Sequence, residues 1–129
     1  MIRKVLGLIA LSAGVAWLPS CGTGQRLVSI QVTPSTVTFG AADPILQAQL
    51  TATGTYIHPP ASKDITSQVT WTSDITQVAQ VTSAGIVSPN LTCGIANITA
   101  IMKTNQPRDN QVTGTMAVTV NGPSSQGCP

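Results

Sequence analysis

The sequence predicts an all-β protein, namely an antiparallel β-sandwich of about seven short strands preceded by a cleaved signal peptide. Three observations favour this fold class. After Cys21 the apolar residues recur at every second position, which is the period of a strand with one buried face. Glycine and proline interrupt these runs at short intervals. No window of a dozen residues after Cys21 carries the apolar stripe of a helix.

The first twenty residues have the pattern of an export signal. Arg3 and Lys4 form a short positive start, and Val5 to Leu18 is an uncharged apolar run of 14 residues. A helix needs roughly 20 residues to cross a bilayer, so this run is too short for a lasting membrane span. We therefore expect residues 1–20 to be a signal peptide that is removed from the mature protein.

The signal ends in Leu18-Pro19-Ser20-Cys21, which resembles a bacterial lipobox. Leu18 and Ser20 match that pattern, whereas Pro19 departs from it. The resemblance implies that Cys21 carries a diacylglyceryl group and becomes the new N-terminus, so that acyl chains anchor the protein in a membrane. In bacterial lipoproteins an aspartate directly after the acylated cysteine favours retention in the inner membrane. The resemblance therefore implies that a chain with Gly22 at this position goes to the outer membrane. The alternative is an ordinary secretory signal in which Cys21 is incidental.

The charge balance of the mature chain argues against electrostatic steering of charged partners. Residues 21–129 contain four basic residues and four aspartates, which gives a formal net charge of zero, and the sequence has no glutamate. Such a chain lacks the basic stripe that a nucleic-acid backbone requires. We expect no nucleic-acid partner.

Four apolar runs define the predicted core strands after a short tether over residues 21–26. Within each run the apolar residues share one parity, while threonine, serine and glutamine occupy the other. Alternation of this kind indicates antiparallel sheets with one buried face, because strands of parallel sheets tend to be apolar on both faces. The predicted inward sets are Val28, Ile30 and Val32; Leu46, Ala48, Leu50 and Ala52; Ala96, Ile98, Ala100 and Met102; and Val112, Met116, Val118 and Val120.

The order of the motifs resembles the bacterial Ig-like domain, group 2, the module of intimin- and invasin-type adhesins. The resemblance is carried by Trp71-Thr72-Ser73-Asp74, Val78-Ala79-Gln80-Val81, Gly85-Ile86-Val87 and Gly94-Ile95-Ala96-Asn97-Ile98-Thr99-Ala100. It covers residues 27–120 and leaves 121–129 as a C-terminal tail. It implies an Ig-like sandwich and a non-enzymatic role. The segments Ser88–Cys93 and Tyr56–Lys63 depart from the family pattern.

Each position of this resemblance has a structural interpretation. Trp71 is expected at the centre of the sandwich, and the alternative is an exposed tryptophan that stacks on a sugar. Gly85 and Gly94 are expected to meet turn geometry or close backbone approach. Asp74 is expected to bond neighbouring backbone amides in a turn.

Two cysteines remain if Cys21 is acylated. Export places Cys93 and Cys128 in a compartment where disulfides persist, so we expect them to pair. The bond would tie the C-terminal tail to the turn before the Ile95–Met102 strand. The alternative is two independent thiols.

The sequence contains little that could carry catalysis. His58 is the single histidine, in a Tyr-Ile-His-Pro-Pro segment read as a loop, where a solvated imidazole is expected rather than a metal ligand or general base. No paired carboxylates and no G-x-S-x-G motif occur. We therefore expect no enzyme, no metal and no cofactor.

These observations predict a lipid-anchored, non-enzymatic module of the cell envelope, exported to the outer membrane or cell surface. Its expected partners are a membrane, through acyl chains on Cys21, and a surface glycan or protein bound in adhesion. Tyr56 and His58 form the candidate binding loop, because the Tyr56–Lys63 segment combines an aromatic ring, an imidazole and a rigid Pro-Pro pair. The alternative is a structural spacer or an accessory subunit of a periplasmic or outer-membrane assembly.

Overall fold

The computed structural model of the protein describes residues 24–108, 110–122 and 128. The predicted signal peptide, Cys21, half of the tether and most of the tail lie outside the described residues. The described part forms an all-β sandwich, which confirms the predicted fold class. Its strands are β1 (Arg26–Thr33), β2 (Thr36–Phe39), β3 (Ala48–Gln49), β4 (Thr51–Ile57), β5 (Ala61–Asp64), β6 (Thr70–Ser73), β7 (Ala79–Val81), β8 (Ile86–Pro89), β9 (Gly94–Lys103) and β10 (Gln111–Val120).

One layer is a four-stranded sheet in the order β2-β10-β9-β6. The β10–β9 and β9–β6 pairings are antiparallel, as expected, whereas β2 lies parallel to β10. β1 belongs to the other layer, so the chain changes layers between Thr33 and Thr36. Pro34 lies at this change and has no N–H with which to continue a strand ladder.

The second layer consists of two three-stranded sheets, β1-β4-β5 and β3-β8-β7. They join because β3 and β4 are separated only by Leu50, whose N–H donates to the Gly85 carbonyl at 2.8 Å. This interruption, the short strand β2 and the additional strand β5 raise the count to ten, against the seven or so that the sequence predicts.

Most of the predicted inward residues are buried between the layers. The confirmed members are Ile30, Val32, Leu50, Ala52, Ala96, Ile98, Ala100, Met116, Val118 and Val120, while Ala48, Met102 and Val112 are half-buried. β9 and β10 therefore form the regular centre of the core, because burial alternates along all ten residues of β10 and along β9 as far as Ile101.

Two residues of the predicted inward sets are exposed. Val28 is 41% exposed because the pairing of β1 with β4 shifts between Leu27 and Ser29. A bulge of this kind reverses which parity faces inward, so Leu27 occupies the core in its place. Leu46 is 37% exposed because it lies before β3 begins.

Trp71 lies inside the sandwich, as predicted, and is 8% exposed. Its Nε1–H donates to the Thr66 carbonyl at 2.9 Å, which satisfies its polar atom. Gly85 packs against the indole with φ of +78°, and Gly94 has φ of +143°. Both glycines thus meet the turn geometry and close approach expected from the sequence. An indole that is only 8% exposed favours the core interpretation of Trp71 over stacking on a sugar.

The two layers approach most closely where β1 crosses β10. A Cβ added to Gly114 would lie 2.5 Å from the Ile30 carbonyl oxygen, so only glycine fits there. Arg26 and Gln111, at the starts of β1 and β10, line the same cleft. The two strands therefore start at the same end of the sandwich and run in the same direction.

The chain therefore enters and leaves the sandwich at opposite ends. We call the end with Gln25, Arg26, Lys103 and Gln111 the tether pole, because Gly24 is the first described residue. The end with Cys93, Gly94, Val120 and Asn121 is the distal pole. With a rise of about 3.3 Å per residue, the ten residues of β10 separate the poles by about 30 Å.

Candidate functional site

The Tyr56–Lys63 segment is a β-hairpin rather than the expected loop. β4 continues through Tyr56 to Ile57, three residues turn, and β5 returns with Tyr56 paired to Ala61. The polar sequence of β5, Ala61-Ser62-Lys63-Asp64, gives it no buried face, and the hydrogen-bonded ladder to β4 holds it in place.

The structure places the two candidate binding residues in different environments. Tyr56 is half-buried, and the Lys63 Nζ lies 5.0 Å from the centre of its ring, at a distance typical of a cation–π contact. His58 is exposed in the turn with φ of +61°, in the left-handed region that few residues other than glycine adopt. A binding role for Tyr56 and His58 stays a prediction.

This hairpin lies beside the N-terminal tether. The Gln25 Nε2–H donates to the Pro59 carbonyl at 3.1 Å, and the Lys63 ammonium donates to Gln25 Oε1. One glutamine therefore holds the first described residues against the hairpin turn. As a result, the candidate binding residues face the same end of the molecule as the chain that leads to Cys21.

A cleft of about 410 Å³ opens at the tether pole next to Tyr56. Arg26 and Lys103 lie on its rim, and Leu27 and Met102 contribute apolar surface. It adjoins a second cavity of about 180 Å³, lined by Arg26, Gln106, Pro107 and Arg108. The tether pole is therefore concave and carries basic groups.

The distal pole is closed by the predicted disulfide. Cys93 and Cys128 are bonded, with their Cα atoms 5.5 Å apart, and 35 positions separate them in the sequence. This confirms the expected pair over two independent thiols. The bond fixes Cys128 to the residue before β9. The lipid-attachment prediction for Cys21 lies outside the described residues.

Sequence reasoning did not single out the outward side of the four-stranded sheet, which is rich in threonine. We call this side the threonine face and define it by Thr36, Thr38, Thr70, Thr72, Thr99, Thr113, Thr115 and Thr119. Each of these side chains is exposed or half-exposed. The alternation of threonine with core residues along β10 is the signal that marks it.

The threonine side chains form rows across the strands. Thr72, Thr99 and Thr115 are register partners in one row, and the Thr99 and Thr115 hydroxyl oxygens lie 3.5 Å apart. Thr70 and Thr113 flank Ile101 in the next row. Rows repeat about every 6.7 Å along the strands, and strands lie about 4.8 Å apart. The face can thus present hydroxyl and methyl groups at regular intervals.

Among the described residues, Asp74 and Asp64 are the two carboxylates whose pKa values are shifted. Hydrogen bonds from the Asn97 side chain and backbone lower the pKa of Asp74, and those from the Thr66 hydroxyl and backbone lower that of Asp64. Asp74 was expected to bond neighbouring amides in a turn. The neighbouring Ile75 amide does contribute, but the principal partner is Asn97, 23 residues away, so Asp74 also joins the end of β6 to β9.

The described residues contain neither a candidate metal centre nor a candidate membrane-spanning helix. Nowhere in 24–108, 110–122 and 128 do three or more histidine, cysteine or acidic side chains converge. In the same part of the chain there is no helix long and apolar enough to cross a membrane.

Comparison with known proteins finds one relationship to a much longer chain. No family model matches the sequence. Over 96 residues it is 34% identical to ice-binding protein 1 of Shewanella frigidimarina (strain NCIMB 400). The match covers 74% of this chain and 10% of that protein. The chain therefore spans about a tenth of the relative, and the similarity concerns a stretch of domain size.

Proposed function

We propose that the chain is a non-enzymatic binding module of the cell envelope, a bacterial Ig-like group 2 domain anchored by lipid on Cys21 and exposed at the outer membrane or cell surface. The observation that carries this proposal is the threonine face. It is a broad, accessible side of the sandwich that runs between the poles. The hydrophobic core is formed by residues on the opposite side of the same sheet, so the core does not need these threonines.

The chemistry of this face suits an extended, uncharged ligand. Threonine hydroxyls donate and accept hydrogen bonds, and their methyl groups add dispersion contacts. The rows at Thr99 and Thr113 repeat with the period of the sheet, so a flat polymer with repeating hydroxyl or amide groups can meet several at once. The ligand class is a surface carbohydrate or the strands of a protein, bound in adhesion.

The hairpin residues Tyr56 and His58 are the second surface for such a ligand. Gln25 holds their turn against the tether, and a lipid on Cys21 keeps this end near the membrane. A ligand outside the cell reaches the threonine face without passing the membrane. For this reason we place binding on the threonine face ahead of the hairpin.

The first experiment tests location. Intact cells that express the full chain are treated with protease, and the mass of the membrane-extracted protein is measured. An acylated protein that is removed by protease supports the surface-anchored module. An acylated protein that resists protease faces the periplasm, and an unmodified Cys21 contradicts the anchor.

The second experiment tests the face. Thr115→Lys places a long charged side chain in the middle of the threonine face, and Thr55→Lys places the same group on an exposed position of β4 in the other layer. Binding of the purified protein is measured to insoluble polysaccharides, to peptidoglycan and to ice, which is included because the matched relative is named for binding it. Loss with Thr115→Lys alone supports the proposal, whereas loss only with Tyr56→Ala and His58→Ala moves the site to the hairpin.

The second candidate function is a structural spacer or an accessory subunit. Two observations favour it: the chain enters and leaves at opposite poles, and the matched stretch is a tenth of a longer relative. A spacer separates what is attached to its two ends by about 30 Å. This function would be favoured over binding if both threonine variants attach to the membrane normally and co-purify with the same envelope protein, and if none of the tested ligands binds.

A further inference from the structure

All the basic residues of the mature sequence lie at the tether pole. They are Arg26, Lys63, Lys103 and Arg108, which are far apart in the sequence and are all exposed. Arg26 and Lys103 line the large cleft, and Arg26 and Arg108 line the cavity beside it. Lys63 joins the group through its contacts with Tyr56 and Gln25.

Two of the described acidic residues are placed elsewhere. Asp43 follows β2, whose last residue pairs with Val120 at the distal pole. Asp74 bonds Asn97 near the start of β9. Asp64 directly follows Lys63 in β5, and Asp109 follows Arg108 in the sequence and lies outside the described residues. Even when Asp64 and Asp109 are both counted with the four basic residues, their formal charge is +2. A mature chain with no net charge thus has one positive end.

The tether is too short to hold this end away from a lipid surface. Gly24 is exposed at the tether pole, and Cys21 lies three residues before it. Three extended residues reach about 10 Å. The Debye length at physiological ionic strength is about 8 Å, so the basic residues stay within range of charged headgroups.

We propose that the tether pole is a membrane-docking surface that rests on anionic phospholipid headgroups and orients the sandwich with its distal pole outward. This inference rests on the proposed lipid anchor at Cys21. The lipid attaches the domain to the membrane. The charges of Arg26, Lys63, Lys103 and Arg108 orient the domain relative to the membrane surface. Each basic residue near an anionic surface strengthens the contact about fivefold.

Docking also explains the arrangement of the hairpin. Lys63 is held over Tyr56 and against Gln25, so its charge stays beside the tether. An aromatic ring next to a basic group suits the boundary between headgroups and water. On this assignment Tyr56 and His58 face lipid, and the threonine face stands upright along the domain.

The test uses the full-length lipoprotein, purified from membranes and reconstituted into phosphatidylcholine vesicles with or without phosphatidylglycerol. Amide exchange is followed in residues 104–108 at the tether pole and in residues 93–97 at the distal pole. We expect exchange of 104–108 to slow about tenfold only when phosphatidylglycerol is present. High salt should reverse this, and 93–97 should not change.

Two variants make the result specific. Lys103→Gln with Arg108→Gln removes two exposed charges from the tether pole and should abolish the slowing, with an unchanged melting temperature. Asp43→Asn changes the net charge by one unit near the distal pole and should leave the slowing intact. Equal exchange in both vesicle types, or slowing that survives the double variant, overturns the docking proposal.

The anchor and the docking surface fail in distinguishable ways. A protein that leaves both vesicle types in a high-salt wash, with an unmodified Cys21 by mass, contradicts the lipid anchor. A protein that stays attached through the wash but shows no dependence on phosphatidylglycerol contradicts only the docking surface.

Discussion

Asp74 and Asn97 join the end of β6 to the start of β9 through three hydrogen bonds. The Asn97 backbone N–H donates to Asp74 Oδ1 at 2.7 Å, and the Asn97 Nδ2–H donates to Oδ2 at 2.9 Å. The carbonyl of Asn97 in turn accepts from the Asp74 N–H at 3.1 Å. The carboxylate thus continues the pairing of β6 with β9 beyond the last residue of β6.

The Asp74–Asn97 pair and the Asp64–Thr66 pair make the free energy of unfolding depend on pH. Asn97 lowers the pKa of Asp74, and Thr66 lowers that of Asp64, from an ordinary value of 3.8. Because the folded pKa lies below the unfolded one, the unfolded chain binds protons first as the pH falls. The stabilisation is therefore complete above pH 3.8 and is lost as the pH falls through the folded pKa. Urea unfolding between pH 7 and pH 2 should show this loss.

Asn97→Ala identifies the cause of the shift. It removes the side-chain donor and keeps the backbone N–H, so the pKa of Asp74 should rise part of the way to its ordinary value. The titration of the Asp74 carboxyl carbon by NMR measures this directly. Asp64 should titrate as in the unaltered protein, and an unchanged Asp74 titration would contradict the assignment.

The Cys93–Cys128 bond should contribute a large share of the stability. It closes a loop of about 35 residues, which on the chain-entropy model stabilises the folded state by about 3 to 4 kcal/mol. Cys93→Ser combined with Cys128→Ser should lower the free energy of unfolding by about this amount, measured in urea. A reductant should do the same to the unaltered protein and should have no effect on the double variant.

Gly122 should report whether the disulfide occupies its observed position. A Cβ at Gly122 would lie 2.7 Å from Cys128 Sγ and 3.0 Å from Cys93 Cβ. Gly122→Ala should therefore destabilise the oxidised protein by about 1 kcal/mol or more, since the bond must shift. In the background of the double serine variant the same change should cost less. Equal costs in both backgrounds would contradict this packing.

The sequence predicts the fold class and the central core well, because β10 and most of β9 alternate between buried and solvent-facing residues. It fails at Val28, because a one-residue bulge reverses the inward parity and leaves no signal in composition. It also fails at β5, where Lys63 and its neighbours have no buried face and so no period.

The candidate surfaces are harder to predict than the core. The threonine face depends on the register of Thr72 with Thr99 and Thr115, which only the strand pairing reveals. The tether pole gathers residues as distant in sequence as Arg26 and Arg108. The disulfide was predictable because two cysteines remain after Cys21. What the sequence could not provide is the distance between them, and the structure places their Cα atoms 5.5 Å apart.

Gly85 should tolerate no side chain, because it meets two constraints at once. Its φ is +78°, and a Cβ would lie 3.0 Å from the Leu50 carbonyl oxygen and 3.2 Å from Trp71 Cε2. Gly85→Ala should therefore lower the free energy of unfolding by about 1 to 3 kcal/mol.

The matched control is Gly40→Ala, whose Cβ would meet no atom within 4 Å, and which should stay within about 0.5 kcal/mol of the unaltered protein. Because Trp71 is the one tryptophan of the mature chain, its fluorescence follows unfolding in both variants and also shows whether the indole moves. Equal stability of the two variants would mean that the turn after β7 adapts to a side chain and does not fix the indole.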